Sequence, residues 1–547
     1  MTLKEIEKDI ESRMSAKYNA FYLAGVDDED AEDIIGEVTD GRADKEYREW
    51  SFAYGAMFKF GGHTRATTSN DDSFPHVAEQ WLLEVDSKKK DVVKPSVFVV
   101  RDIHLIFEGA MRGDEYALKA VSALKILLMT LLYKPEGNGN RPVVFLIGLR
   151  APIPPMVERL VTLYDVAYPR EDEIRSIIQE RVDEINDGIE VDDDEVRTLC
   201  NSCRGLGRRA IRLLLNRIYE KTGLIGYDRE VAHIIYEEKK QEIKKSQVLD
   251  LIDIDDLTLS DVGGLEILKS WLKERKKLIE NPEPAKKFHV DTPKGVMIVG
   301  MPGCGKSMTA KATAKTFNVQ LLRLDMGSLM GKYVGESESN MRRALQLAEA
   351  ASPCVLWIDE IEKAFSGVSA KGGGSEIATR LYGYFLTWMQ EKKEMVFVVA
   401  TANRIDLPPE LFRRGRFDEV FYVDFPTRKE AEQILKLNLK KRSETEEEKR
   451  AIGDTDFNAA LDKIYGTGKD RVFAGADIES IASLAVEKRY LSISDGSAGK
   501  PTISVKDAVE EIVTSGIIKP IGSTMKDEIK ETREKFNKMQ LRSASEM

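Results

Sequence analysis

The sequence predicts an α/β protein made of two successive modules, each a parallel sheet covered by helices. Short apolar runs of strand length recur at 20–25, 96–102, 143–148, 295–300, 354–360 and 396–403, with helical spacing between several of them. Runs that are apolar on both faces suit strands buried between helical layers, and their alternation with helices suits parallel order. The second observation is a repeat. VVFLIGLRAPIPPMVERLVTLYDVAYPREDEI (143–174) and VFVVATANRIDLPPELFRRGRFDEVFYVDFPTRKEA (396–431) both read strand, Pro-Pro, helix, strand, proline, charged helix. Pro154-Pro155 answers Pro408-Pro409, and Pro169 answers Pro426. A shared order of elements argues duplication. The third observation is a charged stretch, YEEKKQEIKKSQ (236–247), which reads as a solvated helix end or linker between the halves.

Composition narrows the class. The 547 residues suggest two to four domains, with 42% hydrophobic and 32% charged residues. A net charge of −11 argues against a chain that coats nucleic acid over its whole surface. Four cysteines (Cys200, Cys203, Cys304 and Cys354) are too few for a disulfide framework and fit a reducing compartment. Cys200 and Cys203 form a CxxC, but zinc needs about four ligands and no second pair stands nearby. A core position within a helix is the expectation for Cys200. The charged start MTLKEIEKDIESRM has no apolar stretch of the signal-peptide kind, and no run of membrane-spanning length occurs. A cytoplasmic or stroma-like location is expected, and a phage source fits equally.

GMPGCGKS, Gly300 to Ser307, fits GxxxxGK[ST] and lies between the strand GVMIVG and the helix-forming MTAKATAKTF. That context is what a phosphate-binding loop requires. The glycines let backbone N–H groups curl around phosphates, so Gly300, Pro302, Gly303, Cys304, Gly305 and Met308 are the expected nucleotide-binding positions beside Lys306 and Ser307. Lys306 carries charge to the β and γ phosphates of ATP, and Ser307 is placed to hold Mg²⁺. CVLWIDE ends in Asp359 and Glu360 at the carboxyl end of a strand, the end that faces the ligand crevice in open α/β sheets. Asp359 is expected to assist Mg²⁺ and Glu360 to act as general base on water. VFVVATAN ends in Asn403, an amide suited to the γ phosphate or the water. Arg413 and Arg416 flank Arg414-Gly415 in a turn, and arginines so placed suit fingers reaching a neighbouring subunit's ATP.

These motifs, with DVGGLEILKSWL before them and KYVGESESNMRRAL and FAGADIESI among them, resemble the AAA+ ATPases over about residues 258–485. The clade resembled is that of hexameric protein-remodelling machines. The resemblance implies tandem AAA+ modules, the first degenerate. It divides the chain into a degenerate module without a P-loop (1–235), a charged linker (236–257), a large P-loop subdomain (258–428), and a helical lid with C-terminal helices (429–547). It places Asn403 at sensor 1, and Arg413 and Arg416 at the arginine fingers, although Arg414 stands where the family has proline. Gly475 and Ala476 of the GAD segment then lie against the nucleotide. Lys332, Tyr333, Val334 and Gly335 match the first pore loop, where an aromatic ring grips a polypeptide, and the glycine-rich 365–376 resembles a second. Longer stretches, including residues 49–55 and the tail from Ile517, are similar to an AAA family encoded in some algal chloroplast genomes and in cyanobacteria. The implied activity is ATP hydrolysis by a ring, a homo-oligomer and expectedly a hexamer, that remodels or threads a protein. A nucleic-acid motor and a nucleotide-gated assembly scaffold remain open as other readings.

The first module lacks the catalytic parts. AFYLAG leads not into a glycine-rich loop but into Asp27, Asp28, Glu29 and Asp30, which repel a triphosphate. In VFVVRDIHLIF, Asp102 is matched with Asp359, leaving Ile103 in place of the glutamate. Leu149-Arg150 falls where Asn403 stands in the second copy. Arg208, Arg209 and Arg212 read as a solvated basic helix face.

Overall fold

The computed structural model describes residues 2–39, 47–52, 73–86, 96–133, 141–166, 168–185, 191–254, 257–280, 282–329, 336–365, 376–404, 407–413, 415–465, 472–493 and 501–545. The chain divides into two compact units. One comprises Met1–Asn201 with Gly207–Tyr227, and the other Ser202–Leu206 with Asp228–Met547.

In the first unit the apolar runs become β1 (Ala20–Ala24), β3 (Val97–Val100) and β4 (Val143–Gly148); β5 (Thr162–Asp165) is the second strand of the repeat, and β2 (Tyr47–Trp50, YREW) falls on no run the pattern marked. They form a parallel sheet in the order β2-β3-β4-β1-β5. Alternate residues of one strand enter two different cores. Tyr22, Phe98, Val100 and Leu146 pack on one face, and Phe21, Val99, Phe145 and Ile147 on the other. A strand buried on both faces must be apolar at every position, which is why these runs do not alternate.

The second unit contains β6 (Leu249–Ile252), β7 (Gly295–Gly300), β8 (Gln320–Leu324), β9 (Cys354–Ile358), β10 (Val396–Ala402), β11 (Glu419–Val423) and β12 (Arg542–Ser543). Their order is β12-β11-β7-β10-β9-β8-β6. The inner five, β11-β7-β10-β9-β8, repeat the order β5-β1-β4-β3-β2 of the first unit, so the duplicated sequence order is a duplicated topology. A separate helical core follows, in which Leu435 and Leu439 pack with Phe457, Ile478, Ala482 and Val509.

The stretch expected as a linker, 236–257, is structured where described. Helix Arg229–Lys244 buries Ile234, Ile235, Lys239 and Ile243. β6 then pairs antiparallel with β8, and Arg323 bonds Asp250 across the pair at 2.8 Å. Apart from the buried Lys239, the charges line the outer faces of a helix and an edge strand, so charge density did not mark a break. The basic helix Arg208–Thr222 also departs from expectation. Arg208 is buried, its guanidinium 2.9 Å from Glu173, and Arg212 reaches the buried Asp30 at 3.0 Å. Only part of that face is solvated, because the acidic first turn of helix Asp28–Val38 supplies partners. Burial pushes the Asp30 carboxyl up, against the pull of Arg212 and Arg208. All four cysteines are buried thiols outside any disulfide, in keeping with a core position for Cys200. Among the described residues no helix is long and apolar enough to cross a membrane.

Candidate active site

The site lies beyond the carboxyl ends of β7, β9 and β10. β7 sits between β11 and β10, and β10 between β7 and β9, so the three strand ends are adjacent. Gly300 closes β7 at φ 151, and a Cβ there would lie 1.9 Å from the Val423 carbonyl oxygen. Only glycine lets the chain leave the strand this close to β11. Gly305 (φ 81) turns the loop into helix Lys306–Phe317, whose first N–H groups point back toward the loop.

Lys306 is buried. Its ammonium donates to the carbonyls of Gly300 (3.0 Å) and Met301 (2.6 Å), and burial pulls its pKa down to about 8. Ser307 Oγ donates to Asp359 Oδ1 at 3.2 Å. The Thr401 hydroxyl also donates to Asp359 Oδ1, and accepts the Glu360 N–H at 3.2 Å. Glu360 has φ 50, a left-handed turn that swings its side chain out of the strand line. Asn403 Nδ2 donates to Glu360 Oε1 at 3.0 Å, and Lys363 pairs with the other carboxylate oxygen. Glu362 accepts the Asn403 N–H at 2.9 Å, and burial raises its pKa. Ser307, Asp359, Glu360, Glu362, Lys363, Thr401 and Asn403, seven residues from three strand ends, thus share one cluster of hydrogen bonds and ion pairs. Ser307 and Asp359 present two hard oxygens side by side, a donor pair that fits Mg²⁺.

The cluster opens into a cavity of about 780 Å³. Pro302, Gly303, Cys304, Gly305, Lys306, Ser307 and Met308 line it, as do Asp359, Glu360, Asn403, Gly475 and Ala476. That volume suits a nucleotide-sized ligand. Cys304 is buried and its thiol is pushed up to about 12. Asp477 accepts the Ala474 N–H at 2.8 Å and fixes the turn that carries Gly475, whose missing side chain brings it against the Gly303 carbonyl. Arg413 and Arg416 do not line the cavity. Arg413 is exposed, 4.0 Å from Glu410, and Arg416 bonds the Glu410 carbonyl. Lys332, Tyr333, Val334, Gly335 and Arg414 lie outside the described residues, as does most of 365–376.

Sequence reasoning missed Thr401, Glu362 and the far wall of the cavity, where Asp261–Gly263, Asn438, Lys441 and Ser545 meet. Thr401 stood one residue before the recognised Ala-Asn pair. Nothing in the pattern marked Ser545, since only the pairing of β12 with β11 brings it there.

The first unit holds the same positions with different chemistry. β3 ends at Val100, paired with Leu146, as β9 ends at Ile358, paired with Ala400. In this register Arg101 stands where Asp359 stands, and Asp102 where Glu360 stands. The backbone agrees, since Asp102 (φ 55) and Glu360 (φ 50) make the same left-handed turn. Matching Asp102 with Asp359 is therefore one residue out of step. Leu149 takes the place of Asn403, as expected. Gly25–Asp27 gives three residues between strand and helix where the second unit has five, and Asp28 opens the helix where Lys306 opens its counterpart. Arg101 pairs with Asp28, with Glu32 at 3.0 Å, and with the buried Glu49. The charges of Lys306 and Asp359 are thus exchanged, and the pair is closed on itself.

Comparison with known proteins agrees with this geometry. A family described as ATPase family associated with various cellular activities (AAA) matches residues 296–425. The N-terminal domain of SpoVK-like AAA ATPases matches 6–166, and their second domain 172–246. Proteins called uncharacterized AAA domain-containing protein ycf46 are similar over most of the chain. That of Pyropia yezoensis is 36% identical over 387 residues, 71% of this chain and 73% of the relative. That of Guillardia theta is 34% identical over 438 residues, 79% and 80% of the two chains. That of Trieres chinensis is 31% identical over 427 residues, 78% and 80%. With relatives this similar over most of both chains, and the phosphate loop and its partners in place, the chain belongs to the AAA family of ATPases, with SpoVK-like domains ahead of the module that carries the loop.

Proposed function

We propose that this chain hydrolyses ATP at one site, in the second unit, and uses the cycle to remodel or thread a protein as a ring-forming homo-oligomer, a hexamer by family expectation. The observation that carries the reading is the hydrogen bond from Asn403 to Glu360 at the mouth of a cavity floored by the phosphate loop. Lys306 exchanges the Gly300 and Met301 carbonyls for phosphate oxygens, a charge-assisted replacement that favours the triphosphate. Ser307 and Asp359 would hold Mg²⁺, which neutralises charge on the β and γ phosphates when bound. Glu360 accepts the proton of the attacking water, and Asn403 fixes the carboxylate's direction. Arg413 and Arg416, outside their own cavity, serve as fingers for a neighbour's ATP. Tyr333 in the Lys332–Gly335 segment is the proposed grip on substrate. The first unit has no phosphate loop and acts in assembly or substrate choice.

Two measurements test this. Glu360→Gln is expected to bind ATP while turnover falls at least ~100-fold. Particle imaging of that variant with ATP should show a closed ring. A monomer at all concentrations refutes the ring. Mixing Lys306→Ala with Arg413→Ala/Arg416→Ala chains should restore part of the activity, and no rescue at any ratio refutes a shared site.

A further inference from the structure

A helix leaves its first backbone N–H groups without partners inside the helix. Helix Glu266–Glu280 begins directly after Gly263, Gly264 and Leu265, and Gly263 and Leu265 line the cavity. Two of its first N–H groups, those of Ile267 and Leu268, donate to the Ala544 carbonyl at 3.1 and 3.2 Å. A residue almost three hundred positions away therefore caps the helix. Ala544 is fully buried, and its own N–H donates to the Tyr422 carbonyl at 2.9 Å, continuing the pairing of β12 with β11. Ser545, the next residue, borders the cavity.

The preceding residues are fastened to the same walls. In helix Lys526–Met539, Arg533 makes two bonds to Asp424, at 2.9 and 3.0 Å, and Asp424 lines the cavity. Phe536 stacks on Tyr422 with ring centres 4.2 Å apart. Further back, Ile521 donates its N–H to Asp477 Oδ2 at 3.1 Å, and Gly522 donates to the Val472 carbonyl at 3.0 Å. Ile521 Cδ1 lies 3.3 Å from where a Cβ on Gly303 would sit, so it backs the phosphate loop. The lid helix holds the 263–265 wall from its own side, with Glu430 and Gln433 accepting from Leu265 and Gly264, each at 3.1 Å.

We propose that segment 520–545 is a structural component of the nucleotide site, in which Ile521 positions the phosphate loop and Ala544 positions the 263–268 wall. These are positioning residues, and none reaches the reacting atoms. The segment sets how tightly nucleotide is held and leaves bond cleavage to the Glu360 cluster. The inference rests on the nucleotide reading of the cavity. If the wild-type chain binds no ADP, that reading fails first. If it binds ADP and the variants below bind it equally well, only the present inference fails.

The test measures the Kd for ADP by calorimetry, and KM and kcat for ATP, in the full chain and in a chain stopped after Gln540. Loss of the Ala544 cap is expected to raise Kd and KM about tenfold, with kcat within about threefold, the tenfold corresponding to ~1.4 kcal/mol. An unchanged Kd, or a fall in kcat with KM unchanged, overturns the proposal. If the shortened chain does not fold, Ile521→Ala decides. It should raise KM about threefold with kcat kept, and Ile521→Val should restore KM. No rise in KM for Ile521→Ala overturns the proposal.

Discussion

Replacing Thr401 by valine removes one hydroxyl and keeps the branched shape of the side chain. Thr401 is buried, at the edge of the cavity. Two bonds are lost, one donated to Asp359 and one accepted from the Glu360 N–H at 3.2 Å. A hydrogen bond to a charged group contributes about 1.5–3 kcal/mol, and a buried N–H left without an acceptor costs about 1–3 kcal/mol. Asp359 keeps its bond from Ser307 and faces the cavity, so the first loss falls at the low end. The second is softened because the Glu360 turn can relax. A net cost of about 2 kcal/mol follows. Felt wholly in the transition state, it lowers kcat ~30-fold, since each 1.36 kcal/mol is a factor of ten. The assay is steady-state phosphate release for wild type, Thr401→Val and Thr401→Ser. Serine keeps the hydroxyl and should retain most of the activity. KM is expected to change little, because Thr401 bonds the Asp359 carboxylate and the Glu360 backbone N–H and not the phosphate loop. If Thr401→Val turns over within twofold of wild type while Glu360→Gln is inactive, the idea that one hydroxyl aligns the Asp359 carboxylate and the Glu360 turn is wrong.

Other consequences are open to direct measurement. Gly300→Ala forces a Cβ onto the Val423 carbonyl and should destabilise the second unit by ~3 kcal/mol or more, seen as loss of its melting transition or of soluble protein. In the first unit, Arg101→Met strands the buried Glu49 and should cost ~3 kcal/mol, much of it recovered in Arg101→Met/Glu49→Leu; no recovery would mean that Arg101 matters for packing alone. Lys392 is buried against Trp388, donates to the Val396 carbonyl at 2.6 Å, and has its pKa pulled down to about 8 by burial. The unfolded chain binds this proton more strongly between pH 8 and 10.5, so stability should rise with pH across that window. Urea titrations at pH 7.5 and 9.5 should show a rise from this group of ~2 kcal/mol, absent in Lys392→Met. Equal slopes for the two proteins would refute the assignment.

Local pattern determined a great deal here. The apolar strands, the phosphate loop with Lys306 and Ser307, the Asp359-Glu360 pair and Asn403 were all readable. Each depends on residues close in sequence or on a strand end whose direction is known once the sheet is parallel. The duplication was readable too, because order of elements survives when side chains change. Tertiary structure decided what depends on pairing between distant strands. It placed Arg101, not Asp102, at the Asp359 position, because a one-residue register is set by β3 against β4 and cannot be seen in a run of valines. It turned the charged 236–247 stretch into a packed helix leading to an edge strand, since only the buried face of a helix need be apolar. It brought Thr401 under Asp359 and carried Ala544 to the start of a helix in the 260s. These contacts form through space between segments from tens to hundreds of residues apart, and no local spacing records them.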